Sequence, residues 1–68
     1  GKNNKSGFKG VFWFKRDKTW CAHIRHNKKS IYLGTFKDKE EAAKAYDRKA
    51  IELFGEFAWL NFPIEDYQ

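Results

Sequence analysis

The sequence predicts an α+β fold, a three-stranded antiparallel sheet packed against one C-terminal amphipathic helix. Two observations carry this. The stretch TWCAHIRHNKKSIYLGTF alternates apolar with polar residues on either side of a polar turn, the period of half-buried strands. The stretch DKEEAAKAYDRKAIELFG then changes to the 3.6-residue period of a helix. At 68 residues the chain allows one domain with one small core, and 19% aromatic residues supply the density such a core needs.

Residues 1–7, GKNNKSG, are polar, basic and without periodicity, and read as a flexible arm. A domain over 8–63 follows, and then a short tail, 64–68. FKGVFWF is β-favouring and predicts a strand at about 8–14, with Val11 and Trp13 inward and Lys9, Phe12 and Phe14 outward. KRDK is the turn into a second strand, about 19–26, and HNKK the turn into a third, about 30–36. Trp20, Ala22, Ile24, Ile31 and Leu33 then share the buried face, and Cys21, His23, Arg25, Ser30 and Tyr32 the other.

The helix is expected over about 38–54. Asp38 and Glu41 have capping-box spacing, and Gly55 stands where a C-terminal cap belongs. On a helical wheel Ala42, Ala43, Tyr46, Ala50, Leu53 and Phe54 form the buried arc, and Glu40, Lys44, Asp47, Arg48 and Glu52 the solvent arc. Ile51 falls among the charges, either covered by the tail or exposed. In the tail, Leu60 and Phe62 are expected to close the core, and Trp59 to play a structural part.

The net charge of +5 is unevenly distributed: residues 1–30 carry +8 and residues 31–68 carry −3. A solvated surface has no need to sort its charges, so the basic half points to a polyanion. One cysteine, Cys21, excludes an internal disulfide framework and fits an intracellular setting. No apolar run is long enough to span a membrane, and no signal-peptide pattern opens the chain.

The outward face offers cations, hydrogen-bonding groups and flat rings side by side. Lysines at the turns supply sequence-independent phosphate contacts, while arginine, histidine and hydroxyl groups on a rigid strand can read base edges. Cys21, His23 and His26 make a poor metal site, because His26 falls on the other face and a fourth ligand is missing. No base and orienting partner accompany Cys21 as a nucleophile, and Glu40 and Glu41 are explained by the helix dipole. No cofactor is expected. Exposed Phe12, Phe14 and Tyr32 also suit a second reading, stacking platforms for RNA or single strands, and a third, a protein-interaction patch.

In order and spacing, FKGV (8–11), AHIR (22–25), YLGTF (32–36), EAAKAYDR (41–48), Gly55 and LNFP (60–63) resemble the APETALA-type or ethylene-response-factor DNA-binding domain, over residues 8–63. The resemblance implies a sheet laid in the major groove of double-stranded DNA by a monomeric, non-enzymatic domain. By position it places base contacts on Lys9, Phe12, Phe14, His23, Arg25, Ser30 and Tyr32, and a backbone contact on Tyr46. Phe12, Phe14 and Ser30 stand where plant members usually have arginine, and KRDKT replaces a tryptophan-glycine motif. Lys15, Arg16 and Lys18 in that turn, with Lys28 and Lys29 in the next, are expected to hold phosphates. The form FKGVFWFKRDKTWCAHI looks like the bacterial and phage versions attached to HNH homing endonucleases, which implies a targeting module. A transcription-factor domain is the alternative. The setting is then a bacterial cytoplasm or nucleoid, or a eukaryotic nucleus.

Overall fold

The computed structural model describes residues 7 to 67. In chain order these form β1 (Val11–Phe14), β2 (Thr19–His26), β3 (Lys29–Phe36) and α1 (Lys39–Phe54), then 3-10 turns at Gly55–Phe57 and Ile64–Tyr67. The sheet order is β1-β2-β3 with both pairs antiparallel, the α+β architecture the alternation predicts. The expected arm, apart from Gly7, lies outside the described residues.

β1 starts later than the β-favouring run suggests. The Lys9 backbone N–H goes to Asn61 Oδ1 at 2.7 Å, not to a strand partner, and Gly10 turns the chain with φ 70°. At the other end of β2, His26 pairs with Lys29, leaving a two-residue loop in which Asn27 and Lys28 have φ 53° and 65°. Positive φ at both positions is the signature of a type I′ hairpin, whose twist matches that of the flanking strands.

Strict alternation fails once along β3. Ala22 pairs with Gly34 and His23 with Tyr32, so Leu33 is the extra residue of a bulge. Beyond it Thr35 pairs with outward Cys21, and Phe36 joins Trp20 on the inner side. The bulge brings both Leu33 and Phe36 against the core.

That core is Val11, Ala22 and Ile24 of the sheet against Ala42, Ala43 and Ala50 of α1, all buried. Alanines bring the helix axis close to the sheet, and Phe8, Trp20, Leu33, Phe36 and Phe62 seal the margins. Trp13 departs from its expected inward place. Its ring packs at a 59° tilt against its cross-strand partner Trp20, centroids 4.9 Å apart, but it stays exposed, because β1 is an edge strand and α1 lies chiefly over β2.

Two helix expectations are corrected. The Asp38–Glu41 capping box is not closed: Asp38 is the N-cap and its carbonyl accepts the Ala42 N–H at 3.2 Å, but its exposed side chain makes no cap bond. The Gly55 N–H does close the other end on the Ile51 carbonyl.

Asp47, assigned by the helical wheel to the solvent arc, is completely buried. The tail returns across that side of α1, and the carboxylate accepts the backbone N–H groups of Asn61 (2.8 Å) and Phe62 (2.9 Å) and the Tyr67 hydroxyl (2.5 Å). A wheel sees one covered face, whereas this helix has two. The same tail half-covers Ile51. Phe62 packs on Phe8 with ring centroids 5.3 Å apart, as expected of a closing residue, whereas Leu60 is only half-buried. Trp59 does not close the core: it is 77% exposed, with the Lys9 ammonium 5.5 Å from its ring centre.

Candidate nucleic-acid interface

The face of the sheet turned away from α1 is built around a row of three rings, one per strand. Phe12 of β1 meets His23 of β2 edge-on at 5.7 Å, and His23 meets Tyr32 of β3 at 5.3 Å. Pairing fixes the row: Phe12 is opposite Cys21 and His23 opposite Tyr32, and the Leu33 bulge keeps Tyr32 and Thr35 on the same side. Ser30 Oγ lies 3.5 Å from His23 Nδ1, and the Cys21 thiol is aimed at the Phe12 carbonyl at 3.5 Å. Phe12 is 46% and Tyr32 60% exposed, and Phe14 continues the outward side of β1.

Tyr46 reaches this face from α1. With Gly10, Phe12, His23, Ile24, Arg25 and Ser30 it lines a shallow depression. The passage exists because residue 10 is glycine: a Cβ there would overlap both the Tyr46 ring and the His23 carbonyl. The Gly10 carbonyl in turn accepts the His23 N–H at 2.8 Å. Burial, and secondarily the neighbouring Asp47 charge, raises the Tyr46 pKa, so its hydroxyl is a neutral donor at physiological pH.

Cations flank the rings at both ends of β2. Lys15, Arg16 and Lys18 stand exposed on the turn before it, and Lys28 and Lys29 at the hairpin after it, with Arg25 exposed between. Arg16 lies 5.7 Å from the Phe14 ring centre and 3.8 Å from Asp17. Among the described residues no carboxylate stands within ion-pair distance of Lys15, Lys18, Arg25, Lys28 or Lys29. Their charge is free for an external anion.

The fold thus brings together Phe12, Phe14, His23, Arg25, Ser30, Tyr32 and Tyr46 and rings them with basic side chains. Lys9 does not join them. Its ammonium donates to the Leu60 carbonyl at 3.2 Å, because the residue precedes the Gly10 turn and is drawn toward the tail. Gly10 is the residue sequence reasoning missed, and a glycine inside a β-favouring run was the available signal. No group of three or more His, Cys, Asp or Glu able to hold a metal occurs among the described residues, and no helix of theirs is long and apolar enough to cross a membrane.

The model of the AP2 domain family matches residues 6–56. The chain is 39% identical over 67 residues to APETALA2-like protein 2 of Oryza sativa subsp. indica, covering 98% of this chain and 15% of that protein. It is 39% identical over 67 residues to the AP2-like ethylene-responsive transcription factor TOE2 of Arabidopsis thaliana, covering 98% and 14%. It is 40% identical over 70 residues to dehydration-responsive element-binding protein 2A of Arabidopsis thaliana, covering 96% and 20%. The chain therefore spans a fifth or less of these relatives' length. With the family match running from before β1 to the end of α1, and relatives near 40% identity across the whole sheet and helix, the chain belongs to the AP2 domain family.

Proposed function

We propose that this chain is a non-enzymatic module that lays the outward face of its sheet in the major groove of double-stranded DNA, as the DNA-binding part of a transcription regulator. The observation that carries the reading is the outward face itself: strand-borne Arg25, His23, Ser30 and Tyr32 between two turns whose lysines, Lys15, Lys18, Lys28 and Lys29, have no carboxylate partner among the described residues. Arg25 and His23 take base edges, with Tyr32, Ser30, Phe12 and Phe14 beside them. Lys15, Arg16, Lys18, Lys28 and Lys29 take phosphates, and Tyr46 donates from the rim of the depression. Relatives named as ethylene-responsive transcription factors and a dehydration-responsive element-binding protein support duplex recognition and a nuclear setting. They favour the transcription-factor reading over the homing-endonuclease one that the stretch FKGVFWFKRDKTWCAHI suggested.

Direct titration of the 68-residue chain with duplex, single-stranded DNA and RNA of matched length, each at two salt concentrations, tests the proposal. About five phosphate contacts imply a log-log salt slope near −4.5 for duplex. Preference for single strands or RNA would shift the reading to a stacking platform on Phe12, Phe14 and Tyr32, and a slope near zero would remove the electrostatic basis altogether.

A further inference from the structure

The cations explain why a polyanion binds, but not why the middle of the face is aromatic. Phe12 stands on the outward side of the edge strand β1, at one end of the ring row, with 46% of its surface open to water. Its neighbours' polar atoms have partners elsewhere: the Cys21 thiol is turned to the Phe12 carbonyl, and the His23 ring, near-perpendicular to that of Phe12, has its Nδ1 3.5 Å from Ser30 Oγ. A phenyl ring has no donor for guanine O6 or N7 and gains nothing from a phosphate. The apolar feature that a major groove offers is the C5-methyl group of thymine, and phenylalanine is among the side chains that contact it.

We propose that Phe12 is a specificity-determining residue that reads C5-methyl groups, so that the module selects thymine at the step it covers and accepts 5-methylcytosine there in thymine's place. The inference rests on the duplex reading above. Three features of the face fit it. Phe12 is held in a strand opposite Cys21 and braced by the His23–Tyr32 edge contacts, so little rotamer freedom is lost on contact. Arg25 lies on the same face, leaving guanine to a different position of the site. The flanking turns carry Lys15 and Lys18 at one end of β2 and Lys28 and Lys29 at the other, so phosphate contacts at the two ends hold the ring row against the base edges between them.

The test compares 20-base-pair alternating A·T duplexes containing thymine with the same duplexes containing uracil, which lack the methyl group and nothing else. Each methyl covered by Phe12 is worth about fourfold in affinity at the usual transfer value for a buried carbon, so the uracil duplex should bind about fourfold or more weaker. G·C duplexes carrying 5-methylcytosine should gain by a similar factor over unmethylated ones. Phe12→Ala should erase both differences and leave the salt slope unchanged, whereas Lys44→Ala, on the helix, should leave both differences in place. Circular dichroism checks that the Phe12→Ala chain is folded, and Phe12→Leu, which keeps an apolar side chain, should retain part of the discrimination. Equal affinity for thymine and uracil duplexes, with a steep salt slope in both, overturns the methyl reading and leaves duplex binding standing. Failure to bind any of the four duplexes overturns both.

Discussion

The Tyr46 ring lies against the bare backbone of Gly10, and through that contact the helix reaches the rim of the sheet's outward face. Gly10 also holds φ 70°, where a side chain is strained whatever the space. Both effects oppose any substitution. Gly10→Ala should lower stability by about 3 kcal/mol, measured by urea unfolding, since overlap with a packed ring adds to left-handed strain. Little of a domain this small would remain folded.

The buried Asp47 carboxylate gathers the tail by three hydrogen bonds. Asp47→Ala leaves two backbone N–H groups and the Tyr67 hydroxyl without their acceptor and should cost about 3 kcal/mol. Tyr67→Phe removes one bond to a charged acceptor and should cost about 1.5 kcal/mol. Equal stability of Tyr67→Phe and the parent chain would mean that the last turn contributes nothing.

Alkaline pH should weaken the fold. Burial, then the hydrogen bond to Asp47, raises the Tyr67 pKa well above its ordinary value of 10.0, and Tyr46 shifts the same way. A raised folded-state pKa gives stability that is fully present below the unfolded pKa and is lost as pH rises through the interval above it. Unfolding midpoints should hold steady from pH 7 to 9 and fall beyond about pH 10. Tyr67→Phe should flatten that fall.

Lys28 occupies the second loop position of the type I′ hairpin with φ 65°, a conformation in which glycine is favoured. Lys28→Gly should raise stability by about 0.5–1 kcal/mol while reducing the salt slope of duplex binding by about one unit. Opposite signs in the two assays would identify a residue retained for its charge at a cost in folding. A loss of stability would show that the lysine backbone is unstrained.

Arg25→Ala should weaken binding to a preferred duplex by roughly 1–3 kcal/mol and relax preference at one base pair. Lys49→Ala breaks the exposed Lys49–Glu52 pair on the helix, and should leave binding unchanged and stability within about 0.5 kcal/mol. Binding isotherms on a small set of single-base variants separate the two.

The parts of this molecule legible in the sequence were those with one partner surface. Ala22 and Ile24 inward and Arg25 and Tyr32 outward follow from alternation alone, and the alanine stripe follows from the helical period. Misreadings gathered where a second surface intervened. Asp47 looks solvent-facing until the tail crosses it, and Lys9 looks like part of a strand until Asn61 takes its backbone N–H. The Leu33 bulge breaks a period that local sequence presents as continuous, and it is visible only through the pairing with β2. Trp13 has the inward parity of its cross-strand partner Trp20 and still lies exposed, because parity sets direction and not cover.

The reciprocal bonds between Lys9 and Asn61, from the Lys9 N–H to Oδ1 and from Nδ2 to the Lys9 carbonyl, pin together two positions 52 residues apart in the chain. The fold is therefore a closed loop whose two ends meet at one gate. In a longer polypeptide a segment before Lys9 would leave from that gate and one after Tyr67 from the Asp47 side of α1, so either could be lengthened without tilting the sheet. A circular permutant opened between Phe54 and Glu56, with the old ends joined by a short linker, should fold with the same sheet register.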